Sequence, residues 1–521
     1  MLRIPIGIHC FIHERFRSLN IYRSLVLLLT YLAYASYHLS RRPFSIVKSV
    51  LTCTDNNNHT SNNCGWPPFN QHDSETLLGL LDSAFLFAYA FGMFFSGFLA
   101  ERCNLRYFLA MGMLLSGLLN YTIGLAFYYN IHSLSFFIIF QILSGILQTT
   151  GWPAVVTCIG HWFSKSSRGV LFGIWNSHTN VGNILGAIVA GAFVDYNWGL
   201  SFMIPGLIIG LAGFLIFLFL VPRPEDVGIP SAIIHGPSSN HLIISDQQYP
   251  SESIFQSSED SGVYGHNNNS VGNSDSHNHR RIIRNNDIES SQNMEEDSPL
   301  LCSLDDSAIN VHIPEKNAIS FFQALKIPGV IEFSICLFFA KLVSYTFLFW
   351  LPFYINYSMH SSSSNSAFLS AFFDLGGIIG GILAGFIVDR YGASAITCVG
   401  MLSMAIPSLL LYYNYGNTSN MMNIILQIIT GTFVNGPYAL ITTAVSAELG
   451  TKVKSSQALA TVTAIIDGTG SMGAAIGPLL SGPLARIGWS YVFVMVIISD
   501  TLALLSLLRI ARQEYLRLRA N

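Results

Sequence analysis

Charge is what this chain has least of. Only 11% of its 521 residues are Asp, Glu, Lys or Arg, whereas 51% are hydrophobic. Soluble domains carry about 25% charged residues, so the shortage argues against a water-soluble globule and for a polytopic membrane protein. The mean hydropathy of +0.46 agrees. A basic excess is missing too, and a net charge of −3 at pH 7 argues against nucleic acid as a partner. The eight cysteines include no CxxC and no metal spacing with histidine. No nucleophile–base pairing stands out, so neither a metal, a cofactor nor an enzymatic activity is expected. Residues 1–20 hold Arg3, Arg15 and Arg17 but no clear cleavable signal peptide, so the first span is expected to insert uncleaved.

What the chain does have is long apolar runs. Runs of about 20 or more residues fall near 24–50, 77–100, 107–128, 134–160, 169–194 and 200–221, and again near 330–355, 366–388, 394–413, 422–447, 458–485 and 489–510. The expectation is an all-α membrane protein of twelve transmembrane helices in two six-helix halves, 1–221 and 321–521. Residues 222–320 separate them. Between 250 and 295 this tract is serine, asparagine, histidine and acids, too poor in apolar residues to pack a core, and it reads as a disordered cytosolic linker. Within it, Glu296-Asp297-Ser298-Pro299-Leu300-Leu301 has the acid-x-x-x-Leu-Leu spacing of an endolysosomal sorting signal, a contact for sorting adaptors or an incidental match.

The charge distribution orients the chain. Short loops after even-numbered spans hold Arg102, Arg106, Lys165, Arg168, Arg390, Lys452 and Lys454, which places them, both termini and the linker in the cytosol. The sequons at Asn58, Asn356 and Asn417 all fall on the opposite, glycosylated side. Cys53 and Cys64 share a polar loop on that side, where an oxidising lumen would let them pair.

A short polar stretch, Gly97-Phe98-Leu99-Ala100-Glu101-Arg102-Cys103-Asn104-Leu105-Arg106, follows the second span, and Gly385-Phe386-Ile387-Val388-Asp389-Arg390-Tyr391-Gly392 follows the second span of the other half. Glycine there lets helices approach, and the acid and arginine can tie their ends. The repeat resembles the loop that joins spans 2 and 3 in each half of the major facilitator superfamily. That resemblance implies a duplicated carrier with a site at the midplane between two rocking halves. Gly182-x-x-x-Gly186, Gly473-x-x-x-Gly477 and Gly376-Gly377-Ile378-Ile379-Gly380-Gly381 read as small-residue seams for close helix contact.

The first span carries the chemistry. Tyr34, Tyr37, Arg41, Ser45 and Lys48 recur on one helical face, Arg41 and Lys48 ~10 Å apart along the axis, with Pro43 expected to bend the helix between them. An arginine inside a membrane costs at least ~2.5 kcal/mol, so Arg41 is expected to face a wet cavity and meet an anion. A span ending at Ser40, with the arginines as its flank, is the plainer alternative. Arg42 points away from the stripe.

Tyr34-Ala35-Ser36-Tyr37-His38-Leu39-Ser40-Arg41-Arg42 resembles the first-span signature of the organophosphate:phosphate antiporters, a family that includes the bacterial glycerol-3-phosphate permease and the vertebrate sugar-phosphate exchangers. The similarity to those exchangers extends through nearly all twelve spans. It includes Cys64-Gly65-Trp66-Pro67-Pro68-Phe69, Gln148-Thr149-Thr150-Gly151-Trp152-Pro153, Trp175-Asn176-Ser177-His178-Thr179-Asn180-Val181-Gly182-Asn183 and Phe339-Ala340-Lys341-Leu342-Val343-Ser344-Tyr345. In the family an arginine of the first span binds phosphate, and the match carries that role onto Arg41, whose guanidinium fork can hold phosphate bidentately. The resemblance implies exchange of a sugar phosphate or glycerol 3-phosphate for inorganic phosphate, in the endoplasmic reticulum membrane or a later compartment.

Two departures stand out. Where the permeases carry a second basic residue six positions before a tryptophan, this chain has Ser344 before Trp350. The nearest cation is Lys341, a second phosphate contact or a lysine paired with Glu332 or Asp374. His178 comes one position earlier than the family histidine, a turn of ~100° around the helix. The further substrate contacts expected are Tyr34, Tyr37, Tyr345, His178, Asn176, Arg42 and Lys48. A proton-coupled carrier using Asp82, Asp374, Asp467 or His178 is the rival reading. A non-transporting receptor or scaffold acting through the linker is another.

Overall fold

The structure, a computed structural model, describes residues 5–11, 18–52, 65–163, 174–229, 321–451 and 458–520. The sequon at Asn58, the Cys53–Cys64 loop and the Leu-Leu motif lie outside them. The described residues are helical, without strands, and helices occupy all twelve expected positions. They are numbered here α1 (Leu19–Leu51), α2 (Ser74–Arg102), α3 (Leu105–Tyr128), α4 (Leu134–Trp162), α5 (His178–Gly191), α6 (Trp198–Phe219), α7 (Val330–Met359), α8 (Ser363–Tyr391), α9 (Ser394–Tyr415), α10 (Asn420–Gly450), α11 (Ala458–Ile487) and α12 (Trp489–Ala520). Nine are long and apolar enough to cross a membrane by length and composition. The exceptions are α1, which carries Arg23, Arg41, Arg42 and Lys48, the 14-residue α5 with its His178, Asn180 and Asn183, and the glycine-rich α11 with Asp467. These three helices share the buried polar groups described below with α2, α4, α7, α8 and α10.

Packing repeats the duplication. α1 lies on α5, α2 on α4 and α3 on α6; in the second half α7 lies on α11, α8 on α10 and α9 on α12. The halves meet through α2 with α11, α5 with α8, and α1 with α7, a set that maps onto itself when the halves are exchanged. Small residues form the seams. A Cβ on Gly182 would meet the Ala35 carbonyl at 2.3 Å, and one on Gly473 the Phe338 carbonyl at 1.9 Å. Gly376 and Gly380 approach α10 just as closely.

Two prolines shape the interior. Pro43 does not end α1, which runs on to Leu51. Without an N–H, it leaves the Leu39 carbonyl free of its usual helical partner, and that oxygen lies against Gly186 of α5. Pro153 likewise leaves the Thr149 carbonyl unmatched. There α4 breaks between Gln148 and Gly151, and Ser96 Oγ donates to the Thr149 oxygen at 2.8 Å. The first half also extends past its expected end at residue 221. The Pro222 carbonyl is bonded at 3.1 Å to His161, and Val227 and Ile229 pack on the apolar core. Residues 222–229 therefore belong with the bundle, because their apolar side chains find a place on it.

Candidate functional site

Arg41 sits midway along α1 with 6% of its surface exposed. Its Nε donates to Gln148 Oε1 at 2.6 Å, and Gln148 Nε2 donates to Ser40 Oγ at 3.2 Å. The guanidinium carbon lies 4.7 Å from the centre of the Tyr89 ring and 5.8 Å from that of Phe85, both on α2. Among the described residues its buried Nη2 has no hydrogen-bond partner within 3.5 Å. A buried, unmatched donor on a permanent cation is costly, and an anion bound there would satisfy it.

Lys341 of α7 is the second cation facing this region, 4% exposed. Its partner is Asp467 of α11, with Nζ to Oδ1 at 2.7 Å, rather than Glu332 or Asp374. Those two acids are engaged elsewhere, Glu332 by Arg509 and Asp374 by Arg42. The Lys341 ammonium also stands 5.5 Å from the Tyr438 ring centre. Tyr89 and Tyr345 lie within electrostatic reach of both Arg41 and Lys341, which places the two cations in one neighbourhood.

The other cations of α1 are committed to the protein. Lys48 is wholly buried, paired with Asp82, donating to the Phe349 carbonyl at 2.9 Å and standing 3.9 Å from the Trp350 ring centre. It shares the helical face of Arg41, but its charge is neutralised. Arg42, 1% exposed, turns across to the second half. It donates to the Leu348 carbonyl and to Asp374 Oδ2 at 3.0 Å. Asn183 joins the same carboxylate, donating to Oδ1 at 2.8 Å while its own oxygen meets His38 at 3.1 Å.

The remaining expected residues are distributed around this centre. Tyr37 shares a 2.8 Å hydrogen bond with Thr150 at the α4 break. Tyr34 packs against His178 at 4.7 Å and Trp152 at 5.1 Å. His178 is fully buried among Tyr34, Trp152 and Trp175, Nδ1 on Thr179 at 3.2 Å and Nε2 without a partner. Asn176 is half-buried in the turn before α5. Tyr345 and Tyr438 line a small cavity of about 20 Å³ with His38, Asn180, Asn183, Ser344 and Asn435. Gln148, Tyr89 and Asn435 were given no role by the sequence reading. The signal available for Tyr89 was its position seven residues after Asp82, on the same face of an otherwise apolar helix.

The loop motifs are arranged differently from expectation. A Cβ on Gly97 or Gly385 would meet nothing within 4 Å, so neither brings helices together here. Arg102 donates to the Phe98 carbonyl of its own helix at 3.2 Å and covers that ring, and Arg106 donates to its neighbour Tyr107 at 3.0 Å. Asp389 and Arg390 are exposed. The reason is the conformation. Among the described residues, the hydrogen bonds that join the halves lie from the level of Arg42 toward the Leu51 end of α1. They include Ser49 with Ser363 at 2.7 Å, Arg486 with Asp73 at 2.5 Å, and Ser364 N with Asp195 at 3.2 Å. None lies at the end carrying Gly97, Arg102 and Asp389. Asn356, expected in a loop, lies in the last turn of α7 with its amide bonded to the Ser361 carbonyl at 2.6 Å, because the helix continues to Met359. Asn417 is exposed in the turn after α9.

Two like six-helix halves, latched at one end around a buried, incompletely satisfied arginine, define a membrane carrier that opens a central site to one side at a time. Comparison with known proteins agrees: residues 31–240 and 333–518 match the Major Facilitator Superfamily family. The chain belongs to that superfamily, and within it to the family of the glucose-6-phosphate exchangers. It is 47% identical to glucose-6-phosphate exchanger SLC37A2 of Bos taurus over 508 residues, 95% of each chain. The Homo sapiens SLC37A2 is 47% identical, covering 95% of this chain and 93% of that one. Glucose-6-phosphate exchanger SLC37A1 of Mus musculus is 44% identical, covering 99% and 97%. Among solved structures, a bacterial homolog of the human lysosomal transporter Spinster shares the fold, with a TM-score of 0.58 at 15% identity over 96% of this chain and 97% of that one.

Proposed function

We propose that this protein is an antiporter exchanging a sugar phosphate such as glucose 6-phosphate for inorganic phosphate. The observation that carries the reading is Arg41: a buried guanidinium with one terminal nitrogen unmatched, near a second cation. The names of the relatives supply the substrate class. Phosphate would take the free Nη2 of Arg41 and compete with Asp467 for Lys341. Asp467 offsets one cation in the empty site and leaves the other charge for the substrate, so reorientation is favoured when phosphate is bound and exchange becomes obligatory. Asp82, Asp374 and Asp467, the acids that a proton-coupled carrier would use, are each paired with a cation, which weakens that rival.

The loop arginines and lysines support a cytosolic position for both termini and the linker; in an endoplasmic reticulum membrane the latched end would then face the lumen. Purified protein in proteoliposomes tests the function. Glucose 6-phosphate uptake is expected into phosphate-loaded vesicles and not into empty ones. Uptake driven by a pH gradient without internal phosphate would support the proton-coupled carrier instead.

A further inference from the structure

The cation pair accounts for a phosphate group but not for the rest of an ester. Beside it lies the small cavity of about 20 Å³, room for a group the size of a water or a single hydroxyl. It is reached from Lys341 through Tyr438 and Tyr345. Its character is unlike that of the cation site. Among the described residues its ionisable acid and base groups are Asp374, whose carboxylate is already held by Arg42 and Asn183, and His38, whose Nδ1 is bonded to Asn183. The other polar groups are amides and hydroxyls.

Two of these are placed to bind. Asn435 of α10 is 4% exposed, and its oxygen accepts from Ser344. Its Nδ2, buried in the cavity wall, has no partner among the described residues. A buried amide donor left unmatched is destabilising, and no positive charge accompanies it to attract an anion. Opposite stands Asn180 of α5, whose amide makes no hydrogen bond among the described residues. Gly377 of α8 brings them together. A Cβ there would lie 2.8 Å from Asn180 Oδ1 and 2.9 Å from Asn435 Nδ2. An acceptor from one half and a donor from the other thus converge on one spot, kept open by the absence of a side chain. Neutral paired donor and acceptor groups match a hydroxyl, which offers one of each.

We propose that Asn180 and Asn435, with the space over Gly377, form a hydroxyl-binding subsite that selects polyhydroxylated esters, hexose phosphates above all, over inorganic phosphate and over esters without hydroxyls. The subsite rests on the antiporter reading and adds its specificity. Because Asn180 belongs to the first half and Asn435 to the second, a sugar held there bridges the two.

The test measures half-saturating concentrations of glucose 6-phosphate, ethyl phosphate and inorganic phosphate as competitors of labelled phosphate exchange in proteoliposomes. For the wild type, glucose 6-phosphate is expected to bind at least about tenfold better than ethyl phosphate, the worth of one to two hydrogen bonds. Asn435→Ala, and separately Gly377→Ala, which puts a methyl group between the two amides, are each expected to raise the glucose 6-phosphate value about tenfold more than the phosphate value. Wild-type exchange with glucose 6-phosphate no better than ethyl phosphate overturns the subsite while leaving the phosphate carrier in place. So does an unchanged ratio in either variant. Absence of any wild-type phosphate exchange overturns the carrier reading and the subsite with it. Because the wild-type comparison uses no substitution, a variant that fails to fold leaves the proposal open to refutation.

Discussion

Three buried cations ride on the second half of α1, and their surroundings give each a separate role. Lys48 is neutralised by Asp82 and Arg42 by Asp374, whereas Arg41 has a glutamine, two aromatic faces and an unmatched nitrogen. Spacing along a helix placed Lys48 and Arg41 on one face but says nothing of where an acid on another helix stands. That is why the pairing of Lys48, and of Lys341 with Asp467, was not legible in the sequence. Arg41 was, since an arginine inside an apolar run needs a reason to be there. Asp374→Ala strands the Arg42 charge in the interior, and breaking a buried pair from one side costs about 3–5 kcal/mol. Thermal unfolding in detergent is expected to show a large drop for Asp374→Ala. Much of it should be recovered in the double variant Arg42→Met with Asp374→Leu. Equal loss in single and double variants would mean that the pair is not what holds this contact.

At the scale of the helices, glycine positions divide into two kinds that look alike in sequence. Gly473 lets α11 lie directly on the Phe338 carbonyl of α7, while Gly97 at the loop motif has open space around it. The sequence reading assigned close approach to both. The seams proved so because their glycines recur at i and i+4 on a face that meets the same neighbour. The loop glycines face the end where no hydrogen bond joins the halves. Gly473→Ala forces backbone apart in a packed interface, at a cost of about 1–3 kcal/mol. It is expected to lower the unfolding temperature clearly, with Gly97→Ala within about 0.5 kcal/mol of wild type. Comparable losses from both substitutions would contradict the packing described.

For the whole molecule, the twelve-helix duplicated architecture could be read from apolar runs and a repeated motif. Its state could not, because a sequence is the same whether the carrier is open to one side or the other. The ends of helices were also imprecise: α7 continues through Asn356, and the first half through Ile229. The orientation proposed here predicts glycan on Asn58 and Asn417. Asn356, with its amide committed at a helix end, is expected to remain unmodified. Gel mobility of Asn58→Gln, Asn356→Gln and Asn417→Gln after expression in a eukaryotic cell checks this. Glycan on Asn268 in the linker would reverse the orientation.

The central claim is that Arg41 holds the phosphate. A bidentate charge-assisted contact is worth roughly 1.5–3 kcal/mol, one to two powers of ten in affinity. Phosphate–phosphate exchange in proteoliposomes at matched protein content measures it without reference to any particular ester. Arg41→Ala is expected to reduce exchange at sub-saturating phosphate by ten- to a hundredfold, and Arg41→Lys, which keeps the charge and loses the fork, to fall well below wild type. Exchange by Arg41→Ala at the wild-type rate would contradict the site.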